Sequence, residues 1–159
     1  MDGQNFTKED LDDMDEEIKT EKNMSEKQYK QVYVGCKSSL LLHTEFTFDS
    51  SHHLCGYDGK CKDIHGHTWF VEIWIKGYPN DCDEVGILFD FGKVKELKEI
   101  IDHKLLNTIP PFDIVNPTAE NLSMWIFDWL KNQNNLICYK VRIYETKIGK
   151  ETFCEYGDW

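Results

Sequence analysis

The chain lacks any long apolar run: no window of its 159 residues approaches the ~20 apolar residues that a membrane-crossing helix needs. Its N-terminus is acidic instead of basic-then-apolar, unlike an export signal, and the sequence predicts a soluble, unexported, cytoplasmic protein with no membrane partner. Basic residues are scarce, 18 Lys and Arg against 29 Asp and Glu, for a formal net charge of −11. That balance argues against holding nucleic acid through its phosphates, because such binding requires neutralisation by Lys and Arg. A small anionic ligand stays compatible with the charge but needs a local basic patch. Prolines number only four and no internal repeat is visible. What is present, 40% hydrophobic and 13% aromatic residues, is the composition of a folded globular chain of one-domain size.

The six cysteines could form disulfides in an exported chain, but without a signal peptide they are expected to stay reduced. Cys36, Cys82, Cys138 and Cys154 are scattered through apparent strands and loops, where thiols act as small hydrophobes. Cys55 and Cys61 differ, because they lie among histidines.

Residues 1–30 carry ten acidic and five basic side chains with almost no apolar pattern. Such a segment cannot bury enough apolar surface to offset its ordering entropy, which predicts a flexible acidic extension over 1–34 followed by a domain over 35–159. In "KSSLLLHTEFTF" the residues Leu40, Leu42, Phe46 and Phe48 alternate with His43, Glu45 and Thr47, predicting a half-buried strand. "TWFVEIWIKGY" puts Trp69, Val71, Ile73 and Ile75 on one face and Phe70, Glu72, Trp74 and Lys76 on the other, a second and central strand. "DFGKVKELKEIIDHKLLN" reads as a helix with Asp90 as N-cap and Phe91, Val94, Leu97 and Ile101 at helical spacing. "NPTAENLSMWIFDWLKNQ" gives a second helix whose stripe is Leu122, Trp125, Ile126, Trp129 and Leu130. "YKVRIYET" and "ETFCEYG", separated by "KIGK", predict a closing hairpin. The order β-β-α-α-β-β predicts an α+β domain with both helices on one face of an antiparallel sheet.

Residues 50–67 hold four of the six histidines. His65 and His67 are two apart at the entry to a strand, so both imidazoles point to one side. His52 ends the preceding strand in register with Phe46 and Phe48. Three histidines around one ion leave a position open, the arrangement of a catalytic rather than a structural zinc. Two other readings of the same loop stay open: a closed Cys55–Cys61–His65–His67 site that staples it, and a solvated loop without metal. Three imidazoles would also accept several divalent ions other than zinc.

The segments "FDSSHHL", "CKDIHGHTWFVEI", "LFDFGKVK", "IDHKLLN", "NPTAENLSMWI" and "VRIYET" follow one another as in the 6-pyruvoyl/6-carboxytetrahydropterin synthase family, which the chain resembles over about residues 40–157. The resemblance implies the tunnelling fold, with sheets joined into a barrel about a trimer axis and a homo-oligomer of three or six copies. It implies Zn²⁺ on His52, His65 and His67, with Cys61 as general base or acid and Asp102 and His103 as a proton relay. Glu145 would anchor the guanidine-like edge of a pterin, and Thr118 and Glu120 would shape its pocket. The implied substrate is 7,8-dihydroneopterin triphosphate. The compact Cys61-x3-His65-x-His67 spacing resembles the bacterial 6-carboxytetrahydropterin synthases of queuosine biosynthesis, whose products are the carboxypterin, acetaldehyde and triphosphate. The alternatives are triphosphate elimination to 6-pyruvoyltetrahydropterin and a non-catalytic, zinc-stapled pterin binder. Where the family often has Arg or Lys after the first zinc histidine, this chain has His53, and Lys60, Lys62, Lys104 and Lys147 are the candidate phosphate partners.

Overall fold

The computed structural model describes residues 37–132, 138–147 and 151–158, and the expected acidic extension over 1–34 lies outside the described residues. In chain order the main elements are β1 (Leu40–His52), β2 (His65–Gly77), α1 (Gly92–Ile101), β3 (Lys104–Leu105), α2 (Ala119–Lys131), β4 (Cys138–Thr146) and β5 (Thr152–Gly157). The strands form one sheet in the order β3-β1-β2-β4-β5. β1, β2, β4 and β5 pair antiparallel with their neighbours. Among the described residues no helix is long and apolar enough to cross a membrane.

Alternation drives the sheet. On the helix-covered face β2 buries Trp69, Val71, Ile73 and Ile75 completely, and β4 adds Val141 and Ile143. α2 packs on β4 and β5, and α1 on β1. The same parity in β1 runs through Phe48, Ser50 and His52, all buried, so the apolar row of that strand ends on a histidine. Phe48 stacks on Trp69 at 6.0 Å, nearly coplanar. The opposite face is polar and aromatic. There Arg142 bonds Glu155 and lies 3.3 Å from Glu72, the Tyr144 hydroxyl donates to Glu72 at 2.9 Å, and the Lys140 ammonium sits 3.8 Å from the Trp74 ring centre.

Four details depart from the expected pattern. The first helix stops at Ile101 instead of running on through the Asp102–His103 pair, because Asp102 is extended and His103 takes a left-handed conformation at φ +56°. The chain then turns back, and Lys104 and Leu105 pair parallel with Ser50 and Ser51, giving the otherwise antiparallel sheet a short parallel edge. Phe91, not Asp90, occupies the cap position. Asp90 acts one residue earlier, accepting Gly92 N–H on its carboxylate at 2.7 Å and Lys93 N–H on its carbonyl at 3.0 Å. In α2 the buried stripe is Leu122, Ile126, Phe127 and Leu130 with Ser123, while Trp125 and Trp129 are only half-buried. Phe127 takes their place against the sheet, its ring edge-on to Tyr156 at 5.1 Å.

Residues Tyr78–Leu88 belong to a separate compact unit. Its short 3-10 turn (Pro79–Asp81) is closed by the Asp81 carboxylate accepting Tyr78 N–H at 2.7 Å. Asp83 organises the rest, with one carboxylate oxygen accepting the N–H groups of Val85 and Ile87 at 3.0 and 2.8 Å.

Candidate metal centre and adjoining cavities

The β1–β2 register sets His52 directly opposite His65 and Ser50 opposite His67. All three imidazoles are on the core-facing side at the open end of the strand pair, and Trp69 forms the floor, edge-on to His52 and His67 at 5.2 and 5.4 Å. His52 donates its Nδ1 hydrogen to the Pro117 carbonyl at 2.8 Å, and His65 donates its own to the Asp63 carbonyl at 2.8 Å. A carbonyl can only accept, so both hydrogens are fixed on Nδ1 and both Nε2 atoms face inward. Those two Nε2 atoms are 3.1 Å apart. His67 Nε2 is buried without a hydrogen-bond partner among the described residues. Glu145 completes the group: its Oε1 lies 3.4 Å from both His52 Nε2 and His67 Nε2. The four ligand atoms all lie within 4.8 Å of one another.

Burial pushes the His67 imidazole below its ordinary pKa; Glu145 opposes that shift, and the neighbouring His52 and His65 reinforce it. The neighbouring His52 and, after it, His67 hold the Glu145 carboxyl below the usual carboxylate range, against the effect of its burial. Facing nitrogen lone pairs repel unless a cation or a proton lies between them, and an orphaned buried nitrogen has the same need. The donor set of three imidazoles and a carboxylate fits Zn²⁺, for which these are ordinary ligands. Cys55 and Cys61 stay outside this group. Cys55 is exposed with its Sγ 3.8 Å from His53 Nδ1, so the four residues of the closed cysteine–histidine alternative do not assemble.

Two asparagines hold the loop in place. Asn107 accepts His53 N–H at 2.9 Å and donates to its carbonyl at 3.0 Å. Asn116 does the same to Cys55, at 2.7 and 3.0 Å, and is itself held through its carbonyl by Asn121 at 2.8 Å. Each side-chain amide thus replaces a missing β-strand partner. Neither asparagine was among the expected site residues, although Asn116 stands beside Pro117 in the quoted "NPTAE" run, a local signal for a turn-forming amide.

Cys61 sits in a short 3-10 turn (Lys60–Lys62), half-buried, and lines a cavity of ≈ 300 Å³ with His52, Thr118, Glu120 and Glu145. Thr118 also caps α2, accepting Asn121 N–H at 3.3 Å. Asp102 and His103 are close to each other, with 3.0 Å between carboxylate and Nδ1, but His103 borders a different cavity of ≈ 580 Å³. That second cavity is lined by Asp49, Ser51, His67, Thr68 and Lys104 as well. Asp49 fixes the pair at two points: its N–H donates to Asp102 at 2.9 Å and its carbonyl accepts His103 N–H at 2.6 Å. The first of these bonds lowers the Asp102 pKa. The thiol and the expected proton relay therefore border different cavities of one chain. Of the candidate phosphate partners, Lys104 borders the larger cavity, whereas Lys147 stacks over Phe70 on the other sheet face.

A family model described as 6-pyruvoyl tetrahydropterin synthase matches residues 41–156. The chain belongs to that family. Two relatives within the pterin synthase family are named for the carboxy reaction. A provisionally named 6-carboxy-5,6,7,8-tetrahydropterin synthase of Pyrococcus abyssi is 48% identical over 127 residues, spanning 62% of this chain and 79% of that one. The 6-carboxy-5,6,7,8-tetrahydropterin synthase of Haemophilus influenzae is 31% identical over 139 residues, 72% of this chain and 96% of that one. Among solved structures, the Caenorhabditis elegans 6-pyruvoyl tetrahydropterin synthase superposes with a TM-score of 0.63 at 23% identity, over 77% of this chain and 97% of that one. The two helices on a mostly antiparallel sheet are the tunnelling fold of these pterin synthases.

Proposed function

We infer that the protein is a zinc-dependent 6-carboxytetrahydropterin synthase that converts 7,8-dihydroneopterin triphosphate and water to 6-carboxy-5,6,7,8-tetrahydropterin, acetaldehyde and triphosphate. The observation that carries this reading is the convergence of His52, His65 and His67 beside the cavity that holds Cys61, Thr118, Glu120 and Glu145. Zn²⁺ bound by the three imidazoles would polarise side-chain hydroxyls of the substrate and acidify the neighbouring bonds. The remaining work belongs to the chain. Glu145 accepts two N–H bonds from the aminopyrimidinone edge, which orients the ring as well as binding it. Thr118 and Glu120 bound the cavity at the start of α2. Cys61 moves a proton at its Sγ, a role suited to a thiol near positive charge.

The Asp102–His103 pair supplies the second proton-transfer group, with Asp102 orienting the ring and stabilising its charged form. Since it borders another cavity than Cys61, the two meet only if copies of the chain assemble with one copy's larger cavity against another's smaller one. A homo-oligomer, trimer or hexamer, is part of the proposal, and an isolated monomer would be nearly inactive. The carboxy product is favoured over the pyruvoyl product by the Cys61-x3-His65-x-His67 spacing and by the names of the relatives. The queuosine pathway is the expected setting.

Incubating the zinc-loaded protein with 7,8-dihydroneopterin triphosphate and weighing the products tests this directly. The expected outcome is 6-carboxytetrahydropterin with acetaldehyde. A 6-pyruvoyl product would shift the assignment to the sister reaction, and recovery of unchanged substrate would remove the catalytic reading.

A further inference from the structure

We propose that Tyr57 is a substrate-contacting residue: its ring, seated on Gly59 at the edge of the Cys61 cavity, is the flat wall against which the heterocycle of a pterin packs. The inference rests on the pterin reading above and adds to it a residue that holds the face of the ring.

Glycine placement supports it first. The loop that carries Tyr57 is closed by the Leu54 N–H donating to the Cys61 carbonyl at 2.8 Å, and Asn116 holds Cys55 within it. Its two glycines answer different needs. Gly56 lies in the left-handed region at φ +74° with open space around it, so the backbone itself calls for glycine there. Gly59 is extended, at φ −165°, a conformation that any residue adopts. What excludes a side chain at Gly59 is the Tyr57 ring: a Cβ there would lie 2.9 Å from Cζ and closer still to Cε1. The ring therefore lies across the Gly59 backbone, and the glycine is what lets it.

Exposure is the second observation. Tyr57 is 52% exposed, so it does little to cover the core, yet it lines the cavity with Cys61, Thr118 and Glu120. Aromatic surface beside a few polar groups is the usual lining of a small-molecule pocket. The other phenyl ring of that lining, Phe153, is already engaged, 5.3 Å from the Tyr144 ring and 4.7 Å from the Arg142 guanidinium. Tyr57 has no aromatic or cationic partner among the described residues.

Planarity decides what such a wall can hold. A pterin carries its hydrogen-bonding groups on the edges of two fused flat rings and none on their faces. Carboxylates and hydroxyls can read the edges, whereas a face gains from stacking on another ring. Recognition is therefore divided: the polar lining sets which heterocycle enters, and Tyr57 requires that it be flat. Gly59 acts through Tyr57, as a positioning residue.

Pterin itself, which has the rings and no side chain, tests this through the change in its fluorescence on binding to the zinc-loaded protein. Tyr57→Ala is expected to raise the pterin dissociation constant roughly tenfold, the loss of one stacking contact. Tyr57→Phe keeps the flat ring and should stay within about twofold of wild type. Gly59→Ala should displace the ring and weaken pterin by a similar factor, yet add nothing further in the Tyr57→Ala background. Both Tyr57 variants should keep the melting temperature and zinc content of wild type, because the side chain is exposed and outside the ligand set. A pterin constant unchanged by Tyr57→Ala overturns the proposal, whatever the turnover. A Gly59→Ala effect that persists undiminished in Tyr57→Ala overturns the seating of the ring. If wild type binds no pterin, the pterin reading falls and this one with it. If it binds pterin but yields no product, the proposed reaction falls and the stacking result stands.

Discussion

His52 Nε2 and His65 Nε2 face each other at 3.1 Å while the Nδ1 hydrogen of each ring is held by a main-chain carbonyl. Such a pair is favourable only around a cation or a shared proton. The histidines are therefore expected to stabilise the fold when metal is bound and to strain it when metal is stripped. Chelation should lower the melting temperature, and re-addition of zinc should restore it by mass action. His65→Ala should lose both metal and turnover, whereas Cys61→Ala should retain one equivalent of metal by elemental analysis and lose turnover. Loss of metal in Cys61→Ala would return the cysteine to the ligand set.

The asparagine clamps give a second expectation. Asn107→Ala and Asn116→Ala each remove one donor and one acceptor from a loop backbone. Each should cost about 1–2 kcal/mol in urea unfolding, the usual range for hydrogen bonds lost at a partly covered site. Asn116→Asp keeps the acceptor for Cys55 N–H and loses the donor to its carbonyl, so it should fall between wild type and alanine.

Asp102 makes stability depend on acid. Its folded pKa is lowered chiefly by the Asp49 N–H, so the stabilisation is fully present above the ordinary aspartate value of about 4. It is lost as the pH falls through that value and then through the depressed folded one. Asp102→Asn keeps an oxygen for the Asp49 N–H and removes the charge. The stability difference between wild type and Asp102→Asn should be constant near neutrality and close progressively below about pH 4. A gap that persists at low pH would show that the carboxylate charge is not what matters there.

Burial pushes the Cys138 thiol up to about 12, so it is essentially all protonated at pH 8. Brief alkylation of the native protein with iodoacetamide should label exposed Cys55 and spare Cys138 until denaturant is added. Peptide mass mapping reads both sites in one experiment.

Much of the site was legible because strand parity is rigid. Once Phe46 and Phe48 define the inward row, His52 must share it, and Trp69 does the same for His65 and His67. Parity also explains why Ser50 and His52 are buried although neither is apolar. What local pattern could not reveal depends on partners far along the chain. The helix stops at Ile101 because Asp49, more than fifty residues earlier, takes the His103 N–H and presents its own to Asp102. A left-handed conformation is uncommon even for histidine, which adopts it more readily than most residues, so the sequence gives only a weak local signal for it. Glu145 likewise reads as an ordinary strand residue until its approach to the three histidines is seen. The Trp125 and Trp129 stripe was misjudged by a small rotation of α2, which brings Phe127 inward instead.

The clamps also impose an order in time. His52, His65 and His67 leave the ribosome before Asn107, Asn116 and the Pro117 carbonyl have been made, and well before Glu145. An ion captured by the nascent histidines would meet rings whose tautomers and loop are not yet set. The geometry that these partners impose on the three rings is thus complete only once the C-terminal half of the chain has been made.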